Sequence, residues 1–239
     1  MMTDSDDRQP ARIRVVSYNV HSCVGADSLF SPARIATILA ALDADFIALQ
    51  EVEERDYQGM PVSQFLAETL GLCRAGRTAH KRVGVDYGNV LLSRMPPTRS
   101  VTHDLALARR EPRGAIEADF ELADKKLRVF ATHFGLSLRE RRAQLQKTLP
   151  HLVDPDPDLT VLCADFNEWA PYSTTHRNLS RLLGAPPSVR TFPSRFALLA
   201  LDRIYASPLD ALVSIRAVVS ADARRASDHL PLVADFELD

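Results

Sequence analysis

No apolar run in this chain is long enough to cross a bilayer. The longest, such as FALLAL at 196–201, fall far short of the roughly 20 residues a spanning helix needs, so stable membrane insertion is not expected. The opening MMTDSDDRQPAR has no apolar core, which argues against a secretory signal; residues 1–11 read as a disordered tail. Cysteine is scarce. Cys23, Cys73 and Cys163 are odd in number and widely spaced, which argues against a disulfide framework or a paired CxxC zinc site, and a cytoplasmic protein is expected. Only nine glycines occur and none forms a P-loop pattern, while GxSxG and HExxH are also missing. A net charge of −2 supplies no global attraction for nucleic acid. No Gly/Ser tract, charge block or repeat marks a boundary, so residues 12–239 are expected to form one domain with no obligate protein partner.

What the chain does have is short strands. IRVVSYNV (13–20), DFIALQEV (45–52), YGNVLLS (87–93), GAIEADFEL (114–122) and KLRVFATHF (126–134) are rich in β-branched and apolar residues and bounded by turn-forming or charged ones. So are LTVLCADF (159–166), LDRIYAS (201–207), LVSIRAVV (212–219) and LPLVADFEL (230–238). Helices are expected between some of them. SPARIATILAALD (31–43) carries Ile35, Ile38, Leu39 and Leu42 at helical spacing, and PVSQFLAETLG (61–71) ends on Gly71 as a C-cap. LSLRERRAQLQKTLPHL (136–152) places Leu138, Leu145 and Leu149 on one side, and THRNLSRLLG (175–184) is shorter. Near-continuous apolar strands imply cover on both faces. The pattern predicts an α+β fold, a four-layer α-β-β-α sandwich of two packed mixed or antiparallel sheets with helices outside.

Several of these strands end on costly polar groups. IRVVSYNV ends at Asn19 with His21 next, DFIALQEV at Gln50 and Glu51, KLRVFATHF at His133, and LTVLCADFN at Asp165 and Asn167. Asp202 opens LDRIYAS, and Asp228 and His229 precede the last strand. Side chains alternate along a strand, so His133 continues the row of Leu127, Val129 and Ala131, and Asp165 that of Leu159, Val161 and Cys163. Such rows suit a pocket at one end of a sandwich. Each residue taken alone also has a plain reading: Asn19, Asp165 and Asn167 as turn residues, His133 as a core histidine, Asp202 and Arg203 as a surface ion pair. Their recurrence favours a site.

The motifs SYNVH, ALQEVE, ATHFGLSLRERRAQ, LCADFNEW, LDRIYAS and SDHLPLVADFEL, in this order, resemble the endonuclease/exonuclease/phosphatase superfamily over nearly the whole chain. That superfamily includes deoxyribonucleases, abasic-site endonucleases, neutral sphingomyelinases and inositol polyphosphate phosphatases, and its fold is an α-β-β-α sandwich. The resemblance implies that Glu51 is the principal Mg²⁺ ligand, with Asn19 and Asp228 beside it and Mn²⁺ as a substitute. It implies that Asp165 activates the attacking water and Asn167 donates to phosphoryl oxygen. His229 would contact the phosphate, held by Asp202, with His133 on the opposite side. Arg113, in EPRGAIEADF, is either a bidentate phosphate fork or a surface arginine, and Asn89, in GNVLLSR, either lines the cleft or serves a strand turn. Asp86 and Tyr87 are weak candidates to partner His133.

Arg109, Arg110 and Arg113, Arg139, Arg141 and Arg142, and Arg224 and Arg225 cluster in sequence near these strand ends. Gathered near the site they would attract a phosphate-containing substrate, although helix and loop surfaces also carry arginine without a binding role. The loops and broad positive surface of a duplex binder are not evident, so a lipid head group or small phosphodiester is expected ahead of DNA or RNA. Trp169 and Phe192 are candidates for an apolar substrate wall, or for packing.

Overall fold

In a computed structural model describing residues 11–82, 84–122 and 124–238, each strand segment read from the sequence forms a strand. The tail expected at 1–11 lies, apart from Ala11, outside the described residues. The first strands are β1 (Ala11–Asn19), β2 (Phe46–Glu53), a small hairpin of β3 (Asp56–Tyr57) and β4 (Met60–Pro61), β5 (Cys73–Arg77), β6 (His80–Arg82) and β7 (Val85–Ser93). They are followed by β8 (Arg99–Asp104), β9 (Gly114–Leu122), β10 (Lys125–His133), β11 (Leu159–Asp165), β12 (Asp202–Ser207), β13 (Leu212–Ala217) and β14 (Leu232–Leu238). The helices are α1 (Pro32–Ala40), α2 (Val62–Leu70), α3 (Leu138–Leu152), α4 (Thr174–Leu183) and α5 (Ala221–Ala226).

One sheet runs β13-β14-β1-β2-β7-β5 with β6 paired to β7, and the other runs β12-β11-β10-β9-β8. Both are mixed: β1 and β2 are parallel, as are β10 and β11, among otherwise antiparallel neighbours. Ile13, Val15, Phe46 and Ala48 from the first sheet meet Ala118, Phe120, Val129 and Val161 from the second in a core between the sheets. The outer face of the first sheet packs Val16, Ile47 and Leu49 against Ile35, Leu39 and Leu66 of α1 and α2. The outer face of the second packs Phe130, Leu162 and Tyr205 against Leu145, Leu152 and Leu179 of α3 and α4. The result is the expected four-layer sandwich.

Local chemistry sets the helix ends. Ser31 accepts from the Arg34 N–H ahead of Pro32, Gly71 ends α2 at φ 65°, and Ser137 with Glu140 forms a capping box on α3. One expectation needs correcting: Leu145 and Leu149 pack on the α3 core, but Leu138 is 45% exposed. The first turn of α3 is anchored through polar groups instead, with Arg141 reaching Glu168 at 3.1 Å. Strands β5, β6 and β8 had no sequence signature because they lie at sheet margins, where one side faces solvent and polar residues suffice.

Candidate active site

Strand register assembles the polar ends. His133 lies beside Asp165 across the parallel β10–β11 ladder, and Asp165 lies beside Asp202 across β11–β12. In the facing sheet Asn19 neighbours Gln50 across β1–β2. Glu51 arrives differently. Leu49 and Val52 both face the helix-side core although they are three residues apart, which strict alternation forbids. A bulge against β7 takes up the extra residue, with Glu51 at φ 57°, and so re-aims its carboxylate toward the sheet edge. Asn167 (φ 50°) and His21 (φ 46°) are also left-handed, a concentration of backbone strain typical of functional sites.

The side chains converge on Asp165. Its Oδ1 accepts from the Asn167 N–H (2.8 Å), so the turn reading holds for that oxygen. Its Oδ2 accepts from Asn19 Nδ2 (3.0 Å) and lies 3.4 Å from His133 Nε2 and 3.6 Å from His229 Nε2. Asn19 Nδ2 also donates to Glu51 Oε1 (3.1 Å), while its Oδ1 accepts from the His21 N–H. His229 Nδ1 is 2.8 Å from Asp202 Oδ2, an oxygen that also accepts from Thr191 Oγ1. Asp202 is fully buried, which excludes the surface ion pair with Arg203.

Burial pushes the Asp165 carboxyl up to about 6, against the pull of His229 and of its hydrogen bonds. Burial alone would lower His229, but Asp202, followed by Asp165 and Asp228, outweighs it and lifts the imidazole to about 10. Burial, then Arg113, then His229 hold His133 well below the ordinary histidine value. At neutral pH one imidazole is therefore charged and the other neutral, the separation that acid and base roles need.

Arg113 is 6% exposed, and its guanidinium is engaged: Nη1 lies 2.9 Å from His133 Nδ1 and Nη2 donates to Glu111 (2.8 Å). Because guanidinium only donates, Nδ1 must accept and the His133 proton sits on Nε2, facing the site. Asp86 instead pairs with Lys81 and Arg77. Asn89 is buried with its Nδ2 donating to Gly114 O (2.9 Å), bracing the strand that begins beside Arg113. Sequence reading missed several supports. Ser227 Oγ donates to Asn19 O (2.7 Å), joining the last strand's approach to β1, and the buried pair Arg141–Glu168 holds the loop that carries Asn167. SDH and DFNE held those residues in view; nothing in the spacing revealed their partners.

For a hard divalent ion the accessible donors are Glu51 and Asp228, whose carboxylates lie 3.8 and 3.5 Å from His21 Nδ1. Their side chains are 20% and 43% exposed, so water can complete a shell of few protein oxygens, as Mg²⁺ prefers. Asp165, Asp202 and His229 also offer ligating atoms within 4.8 Å of one another. Asp202 there is already bonded to His229 and Thr191, so we read that trio as a hydrogen-bonded relay. Among the described residues no helix is long and apolar enough to cross a membrane.

The same fold recurs in known proteins. The chain is 28% identical to the protein YbhP of Escherichia coli strain K12, over 98% of this chain and 99% of YbhP. The endonuclease/exonuclease/phosphatase from Bacteroides vulgatus superposes with a TM-score of 0.76 at 20% identity, covering 96% of this chain and all of that one. The corresponding protein from Beutenbergia cavernae gives 0.73 at 22%, covering 97% of this chain and 72% of that one. With the family profile matching residues 16–229, the chain belongs to the endonuclease/exonuclease/phosphatase family, a family of metal-dependent phosphoester hydrolases.

Proposed function

We propose that this chain is a Mg²⁺-dependent phosphodiesterase of a lipid head group or small phosphodiester, working in the cytoplasm as one domain over residues 12–239. The observation that carries the reaction is Asp165 Oδ2 lying within 3.6 Å of Asn19 Nδ2 and both site imidazoles, next to Glu51. Asp165, raised to about 6 by burial, is a base matched to neutral pH that orients and deprotonates the attacking water. Charged His229, braced by Asp202, offers Nε2–H to the phosphate. His133 Nε2 and Asn167 Nδ2 are 2.9 Å apart and both donors once Arg113 occupies Nδ1. Asn167 Nδ2 already donates one hydrogen to Phe134 O (2.9 Å), and its other hydrogen together with His133 Nε2–H calls for an acceptor such as a phosphoryl oxygen. Neutral His133 hydrogen-bonds that oxygen and keeps its proton, while charged His229 is the imidazole able to give one to the leaving oxygen. Mg²⁺ bound by Glu51 and Asp228 would neutralise growing oxygen charge. Asn19 would stand beside that ion and orient Glu51 and Asp165 through Nδ2, its Oδ1 being held by the His21 N–H. Arg113 acts through His133, and Asn89 through the strand beside it.

Two observations support a lipid or small diester over nucleic acid. Leu136, Trp169, Tyr172, Phe196 and Leu198 are between 61% and 86% exposed, on loops that leave the strand ends carrying His133 and Asp165 or precede Asp202. Phe192 packs its ring 4.8 Å from His229 at the base of one such loop. Meanwhile Arg113, Arg141 and Arg225 are tied to Glu111, Glu168 and Asp27, which thins the phosphate-contacting surface a duplex requires.

Purified protein is expected to hydrolyse a diester with Mg²⁺ and to lose turnover in chelator, with recovery when the ion is returned. Sphingomyelin-type vesicles, a soluble diester, a monoester and supercoiled plasmid should be compared side by side. The double variant Trp169→Ala, Phe196→Ala should lose about tenfold more activity on vesicles than on the soluble diester. Efficient, salt-sensitive cleavage of plasmid with no lipid hydrolysis would replace this substrate reading with a nuclease.

A further inference from the structure

A second group of ligand-type side chains stands on the opposite face of the five-stranded sheet from His133. In the β8–β9 ladder His103 pairs with Ala115 and Val101 with Glu117, so His103 and Glu117 are diagonal neighbours on one face. Glu117 pairs in turn with Phe130, which belongs to the helix-covered core, so this is the face under α3. The last turn of α3 brings His151 there, its ring stacked on His103 at 3.8 Å between centroids. His103 Nε2 is 2.7 Å from Glu117 Oε2, and one ligating atom from each of the three residues lies within 4.8 Å of the others.

We propose that His103, Glu117 and His151 form a second metal site, for an imidazole-preferring divalent cation such as Zn²⁺, that ties the end of α3 to the edge strand β8. Two imidazoles and a carboxylate are a familiar three-ligand set for such an ion, with water as the fourth. The oxygen-rich catalytic edge favours a different, harder ion. Arg99 donates to Glu117 Oε1 (2.6 Å), holding the carboxylate so that Oε2 faces the histidines, as outer partners of metal ligands do. Local charge does not oppose a cation. Arg99 and Arg128 together face three carboxylates, Glu117, Asp119 and Asp154. A helix C-terminus adds partial negative charge beside His151. On a tetrahedral ion the His103 and Glu117 atoms would stand about 3.3 Å apart, a side-chain rotation away from their present separation.

The test is Zn²⁺ titration of the full chain after chelator stripping, with His151→Ala, His103→Ala and Glu51→Gln in parallel. Wild type and Glu51→Gln are expected to bind one tight equivalent and to gain thermal midpoint with Zn²⁺. His151→Ala and His103→Ala should weaken that equivalent about 100-fold or more and lose the gain. His151 closes a helix end, so its truncation does not threaten folding, and Co²⁺ supplies a second readout. A nitrogen-ligand absorption band should appear in Glu51→Gln and be missing in His151→Ala. Unchanged tight binding in His151→Ala, or no Zn²⁺ binding by Glu51→Gln, overturns the site and leaves His103–Glu117 as a hydrogen-bonded pair only.

Discussion

Asp165→Asn is expected to lower kcat on a phosphodiester by about 10³-fold, the typical contribution of a positioned base. Asparagine keeps an oxygen for the Asn167 N–H but cannot take a proton from water. The stability effect should be small, because two terms oppose each other. The folded carboxyl titrates at about 6, above its ordinary 3.8, so its charge disfavours the fold once pH rises through that interval, and removing it relieves this. Against that, the donation from Asn19 Nδ2 and the attraction to His229 are lost. The thermal midpoint in chelator should stay within about 4 °C of wild type, a change near 1 kcal/mol. Turnover matching wild type in this variant would remove Asp165 from the mechanism.

Phe166→Ala is expected to cost about 3–5 kcal/mol, the largest stability loss anticipated here. The ring is fully buried under the second sheet's helices, edge-on to Phe134 (5.2 Å) and Tyr205 (5.8 Å). It also lies between Asp165 and Asn167, so a collapsing cavity would move both groups. Phe120→Ala separates the two effects. Phe120 is equally enclosed, 4.7 Å from Phe46, but it pairs with Leu127, at the end of β10 away from His133. Both variants should unfold at lower denaturant, as chemical denaturation would read. Below their transitions only Phe166→Ala should lose kcat, by about tenfold or more, since a small misplacement of reacting groups is enough. Equal kcat losses in both would mean that general loosening, not placement of Asp165 and Asn167, limits turnover.

Residue chemistry alone determined the apolar strands, the capped helices and the recurrence of Asn19, Glu51, His133, Asp165, Asp202 and His229 beside strand ends, because periodicity and capping act over a few neighbouring residues. Composition could not disclose β5, β6 and β8, whose marginal places in the sheets let them be polar. Only the packed sheets decided that a bulge turns Glu51 to the edge, that Arg113 faces His133 instead of open solvent, and that Arg141 and Glu168 pair beneath the Asn167 loop. Those outcomes depend on register and on partners 20 or more residues away, such as Arg113 and His133. Local spacing carries no record of such distances; a hydrogen bond between remote segments exists only once both sheets have closed around it.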